Sequence, residues 1–262
     1  MNTINIPLPQ IQAILLIFVR VASILMAAPL FESKNIPLFF KAALSFSIAL
    51  ILLPIIEPII KINGSLFDGD IIVFVIGMTG EIIIGVIIGF SVKLIFAGFQ
   101  LAGSLIGVQM GLGMANVMDP VTSSQVPLMG HFNYLLAMLI FLAINAHHWF
   151  LRAIVESFRL IPPFNFHFSN SLFEHLIELS SNMFVVAIKT GAPVIAALLL
   201  ASVALGLIAR TVPQMNVFFV AMPIKIILGL FVFCVSIPLL SSYFKQIFLN
   251  LGDTIFILLK SM

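Results

Sequence analysis

An all-α, multi-helix integral membrane protein built from helical hairpins is the fold class this sequence predicts, on three observations. Residues of the AVILMFWYC set make up 61% of the 262, while Asp, Glu, Lys and Arg together make up 8%. A soluble domain carries roughly 25% charged residues, and twelve basic and ten acidic groups cannot coat a globule of this size. The apolar residues fall in long runs of about 20, the length a helix needs to cross a bilayer core. Such runs are too long for barrel strands, and backbone polar groups in lipid must be bonded within the segment. A soluble enzyme and a disordered chain are both excluded, the latter because it needs low hydrophobicity and high charge.

The candidate spans are 11–31, 38–56, 71–92, 132–151, 183–209 and 216–244. A seventh, 94–112, is long enough but rich in glycine and carries Gln100 and Gln109. The opening MNTINIPLPQ has no positive n-region and Arg20 interrupts the apolar run behind it, so a cleaved signal peptide is not expected. The stretch 32–37 (ESKNIP) reads as a short turn. The stretch 54–70, with Pro54, Pro58 and Asn63-Gly64, reads as a loop. Residues 113–131 form a longer polar connection. After Pro162-Pro163, the run SNSLFEHLIELSSN places Leu172, Leu176 and Leu179 at helical spacing and predicts a separate amphipathic helix at the interface. The last hairpin turns at 210–216 (RTVPQMN).

Loop charge gives a topology only if 94–112 crosses separately. Six spans split the basic residues five against four. Seven spans gather Lys34, Lys41, Lys93, Arg152, Arg159, Lys245 and Lys260 against Lys61 and Arg210, which favours an exterior N-terminus.

Catalysis finds no support. HExxH, GxSxG and Walker motifs are absent. Cys234 is the single cysteine, which excludes an internal disulfide and a multi-cysteine metal site. His147 and His148 are adjacent, about 100° apart on a helix, and poorly placed for one metal; with Trp149 they suit a helix end at an interface. No metal or cofactor is expected. The net charge of +2 supplies no field for nucleic acid.

Three features remain. Gly103, Gly107 and Gly111 recur every four residues, about 40° apart, on one helix face. Gly77, Gly85 and Gly89 make a similar face on the preceding segment, and such faces let helix backbones approach closely. Arg20, Glu81, Lys189 and Lys225 sit inside apolar runs, each costing roughly 3 kcal/mol or more at bilayer depth. They read either as an ion relay or as buried pairs, Glu81 with a basic residue of this or another chain, and four such residues in four segments favour contacts between subunits. In GVQMGLGMANVMDP, Met110, Met114 and Met118 recur every fourth residue before Asp119-Pro120. Methionine is unbranched and adaptable, so the element suits a soft plug lining a path. It equally suits a helix end followed by a turn.

At GSLIGVQMGLGMANVMDP (103–120) the sequence resembles the R-subunit family of type III secretion export gates. The match carries Gly103, Gly107, Gln109, Met110, Gly111, Asp119 and Pro120. It extends to RVASILMAAPLFESKNIP around Arg20, to Gly85 and Gly89, to Asn145 and His147 in LAINAHHW, and to GLIARTVPQMNVFF with Gly206, Arg210, Pro213, Gln214, Asn216 and Phe218. The run DPVTSSQVP looks more like the flagellar branch than the virulence branch.

The resemblance implies one copy completing a closed helical assembly with several P and Q subunits, with the B subunit at its cytoplasmic mouth. It implies a channel for unfolded flagellar proteins, in the bacterial inner membrane at the flagellar basal body, surrounded by lipid. It implies that 107–122 forms a plug, that 1–182 is made of P-like hairpins, that 183–262 holds a Q-like hairpin, and that its tip at 210–216 faces the cytoplasm. That tip conflicts with the seven-span topology, which places Arg210 outside. Two alternatives stand beside it. One is a virulence-type export subunit. The other is a secondary transporter with a broken helix at 98–113 and Glu81 or Asp119 as coupling carboxylate.

Overall fold

A computed structural model describes residues 8–31, 36–60, 71–112, 127–211 and 217–262. Among these residues the regular structure is helical. The helices are α1 (Leu8–Ala27), α2 (Leu38–Ile60), α3 (Ile71–Met110), α4 (Leu128–Ala143), α5 (Ala146–Leu160), α6 (Asn170–Thr211) and α7 (Val217–Ser261). Five are long and apolar enough to cross a membrane, six if α4 and α5 count as one broken span.

The helices are longer than the hydrophobic pattern suggests, for local reasons. The two segments 71–92 and 94–112 are one helix of 40 residues, because nothing at Ser91–Lys93 breaks a backbone ladder and a single charge does not end a helix. The seven-span count therefore falls, and its charge asymmetry with it. The stretch 170–182 is not a separate interfacial helix. It forms the first turns of α6, which starts where Ser169 Oγ accepts the Leu172 N–H at 3.1 Å. Between this cap and the run at 183 no glycine or proline intervenes. No loop begins at residue 54: α2 continues through Pro54 and Pro58 to Ile60, and the rest of the expected loop, 61–70, lies outside the described residues. Proline forfeits a backbone bond but is tolerated in apolar helices whose other bonds persist. The segment 132–151 is broken instead, because Asn145 lies in the left-handed region at φ 56° and separates α4 from α5.

Two compact units emerge. One comprises 1–93, 145–178 and 250–262. Its core is the buried face of α1, where Leu16, Ile17, Arg20, Val21 and Ile24 are fully covered. Phe18 meets Phe46 of α2 edge-on at 6.1 Å. The other unit comprises 94–144 and 179–249. Its centre is aromatic: Phe96, Phe99, Phe141, Phe244 and Phe248 are all buried, and the Phe99 and Phe244 rings lie 3.9 Å apart. The sequence boundary at 182/183 falls inside the unbroken α6.

Candidate functional site

The first cluster is built around Arg20, fully buried on α1. A guanidinium at this depth must satisfy its donors within the protein. Each of its three nitrogens does so. Nε donates to Glu81 Oε2 on α3 in a buried ion pair. Nη1 donates to Ser157 Oγ on α5 at 3.2 Å, and Nη2 to the Ile161 carbonyl at 3.1 Å. The guanidinium carbon stands over the Phe158 ring, 3.9 Å from its centroid. The glycines of α3 make the approach possible. A Cβ on Gly85 would stand 2.8 Å from the Arg20 carbonyl, and one on Gly89 would stand 2.9 Å from that of Ile24. Both therefore allow α1 and α3 to meet backbone to backbone. Gly77 serves another purpose: it receives the Phe164 ring from the α5–α6 connection, not a helix backbone.

Of the four ionisable residues singled out, only Arg20 and Glu81 are buried, and they pair within one chain, not between subunits. The other two stay open to the contacts between subunits that the sequence reading assigns them. Lys189 is exposed on α6 and Lys225 half-buried on α7, because these helices cover little of each other's surface.

The second cluster is the end of α3. Gly103 seats on the first turn of α4, where a Cβ would come within 2.8 Å of the Gly130 Cα and of the Met129 carbonyl carbon. Gly130 faces back toward Gln100, whose carbonyl would stand 3.1 Å from its Cβ. Asn133 Nδ2 donates to the Phe99 carbonyl at 2.6 Å. Gly107 is looser, with Met129 Cβ at an ordinary 3.4 Å. Gln109 is half-buried and Met110 fully buried. The helix stops after Met110 because Gly111 takes φ +83°, its N–H donating to the Val108 carbonyl at 3.0 Å.

Met114, Met118, Asp119 and Pro120 of the plug element, and Pro213, Gln214 and Asn216 of the hairpin tip, lie outside the described residues. Arg210 is exposed in the last turn of α6. Among the described residues no cluster of metal-ligating side chains forms.

Sequence reasoning missed Ser157, Phe158 and the Ile161 carbonyl, which no local pattern marks. It also missed Asn133, whose polarity in the middle of an apolar run was a usable signal.

Comparison with known proteins gives a consistent answer along the chain. The family described as Bacterial export proteins, family 1, matches residues 11–251. The flagellar biosynthetic protein FliR of Bacillus subtilis is 35% identical over 241 residues, covering 90% of each chain. FliR of Escherichia coli is 29% identical over 244 residues, and that of Aquifex aeolicus 28% over 242, again with 90% of each chain covered.

Proposed function

The chain belongs to the bacterial export proteins of family 1, and on that premise we propose that it is a structural subunit of the flagellar protein export apparatus in the bacterial inner membrane. Its place is the basal body, within the gate through which unfolded flagellar proteins leave the cytoplasm. Its neighbours are P and Q subunits, with the B subunit at the cytoplasmic mouth, and its role is structural, not catalytic.

One observation carries the proposal beyond the family name. α6 and α7 hold 42 and 45 residues, about 63 and 68 Å at 1.5 Å per residue, roughly twice a bilayer core of ~30 Å. In each, an apolar window of 18 residues is only 17% buried within the chain. Leu199, Leu200, Val203 and Leu207 of α6 and Ile227, Phe231, Val235 and Leu239 of α7 are all exposed. Lipid alone cannot cover helices of that length, whereas sister helices of an assembly can. This supports treating 183–262 as a Q-like hairpin laid beside true Q subunits. The plug role of 107–122 is supported by the end of α3 at Gly111, directly before the methionine-rich segment.

The secondary-transporter reading loses one of its two coupling carboxylates, since Glu81 is neutralised by Arg20 inside the protein.

The test is co-expression with P- and Q-type partners and purification in mild detergent. A stable multi-subunit particle is expected; a clean monomer that ignores those partners overturns the assignment. Deleting 111–120 in that particle should make membranes leaky to ions and small solutes. An unchanged leak removes the plug role while leaving the structural one.

A further inference from the structure

A cavity of about 300 Å³ lies between α5 and the last turns of α7, within the unit that contains α1. Small-ligand sites begin at about that size. On the α5 side Trp149, Arg152 and Glu156 recur at helical spacing and share one face. On the α7 side stand Gly252, Asp253 and Phe256. A Cβ on Gly252 would stand 3.3 Å from Trp149 Cε3, so the missing side chain lets the indole lie close against α7. Two opposite charges line this cavity without meeting. Arg152 is exposed and has no anionic partner among the described residues; its guanidinium carbon is 6.0 Å from the centroid of the Trp149 ring. The exposed Asp253 carboxylate takes part in no ion pair or hydrogen bond among the described residues. Glu156, the third charge, is answered by Arg159 at 3.3 Å. One cation and one anion are therefore left for something else.

We infer that this cavity seats the headgroup of a zwitterionic phospholipid of the phosphatidylethanolamine kind. The phosphate meets Arg152, whose planar fork of donors matches its oxygens. The ammonium meets Asp253 and the face of Trp149. Charge selects this occupant. A headgroup with phosphate alone leaves Asp253 unanswered and enters a lining with two carboxylates against one guanidinium. A purely cationic occupant leaves Arg152 unanswered. A tryptophan beside an arginine suits the headgroup level of a bilayer, where one end of a site is wet and the other apolar. Phe256 on the cavity wall and its neighbour Ile257 are exposed, and they offer apolar surface to the acyl chains. The inference is independent of the plug reading and rests on the chain's place in the inner membrane.

The experiment places the full chain in nanodiscs of phosphatidylglycerol. The discs carry a small, fixed fraction of quencher lipid with brominated acyl chains, either phosphatidylethanolamine or phosphatidylglycerol. Trp149 is the only tryptophan of the chain, so its fluorescence, referred to discs without bromine, reports occupancy. The ethanolamine lipid is expected to quench severalfold more than the glycerol lipid. Arg152→Gln and Asp253→Asn should each lower ethanolamine quenching to the glycerol level. Both side chains are exposed, so neither variant threatens the fold. Equal quenching by the two lipids in the unaltered chain, or stronger quenching by the glycerol lipid, overturns the proposal. So does a preference for ethanolamine that survives both variants or falls in only one of them. The measurement is then repeated in the particle with P- and Q-type partners whose tryptophans are replaced by phenylalanine. A retained preference supports the site in the assembled gate. Its loss there gives the cavity to a neighbouring subunit and overturns the proposal.

Discussion

The two compact units hold their polar chemistry differently. In the unit containing α1, the buried guanidinium of Arg20 has every side of its charge answered: a carboxylate, a hydroxyl, a backbone carbonyl and an aromatic face. In the unit containing α4 no buried ion pair appears among the described residues, and the most buried polar contact is Asn133 Nδ2 donating to the Phe99 carbonyl; each unit also keeps two buried polar atoms unpaired, Gln12 Oε1 and His147 Nδ1 in the first, Asn133 Oδ1 and Thr190 Oγ1 in the second. Most of what else is buried there is apolar, from Ala102, Ile106 and Met110 to Val194, Leu198 and Leu240. A saturated charge cluster fixes one geometry, because any shift leaves a buried charge uncompensated. Apolar contacts against glycine slide and part at modest cost.

The largest effect expected is in the charge cluster. Arg20→Ala or Glu81→Ala each strands the partner's charge and should cost about 3–5 kcal/mol of stability, measured as a loss of thermal stability in detergent. The double variant Arg20→Met with Glu81→Leu should recover most of that loss. If single and double variants behave alike, the node is not a charge pair in energetic terms and the contrast between the units collapses.

Gly103 and Gly107 come next. They share a face but not an environment. Gly103→Ala drives a methyl into the α4 backbone, which cannot yield, and should cost about 1–3 kcal/mol. Gly107→Ala meets only ordinary contact at Met129 and should be nearly neutral to chain stability. Equal effects of the two would mean that the stripe acts as a whole. Asn133→Leu removes the second hydrogen bond on the Phe99 carbonyl, which keeps its place in the ladder of α3, and should cost about 0.5–1.5 kcal/mol by the same melting assay. Smallest of all is Lys189→Ala, exposed on α6, with an expected change within about 0.5 kcal/mol. Its informative readout is recovery of the multi-subunit particle. A drop there places a neighbouring subunit over Lys189.

Much of this was legible in the chain. The apolar runs named the helix regions except most of α5 and the last turns of α7, and the glycine spacing named Gly85, Gly89 and Gly103 as points of close approach. Their spacing is a local property that survives whatever the rest of the chain does. What failed was continuity. Hydropathy places an end wherever polarity rises, as at Lys93 and at 170–182, while a helix ends only where its backbone ladder is interrupted. Gly111 and Asn145 interrupt it; Lys93, Pro54 and Pro58 do not.

The sequence by itself determined that the chain is helical, apolar and covered by something other than water, because composition sets how much polar surface exists. It determined that Arg20 and Glu81 needed partners, because a lone charge in an apolar run is too costly to leave unpaired. Only the tertiary structure decided that the two answer each other across 61 positions, that Ser157 and Phe158 complete the cluster, and that Arg152 and Asp253 line one cavity. Those pairings depend on which helix faces meet, and long-range packing leaves no period in the sequence to reveal it.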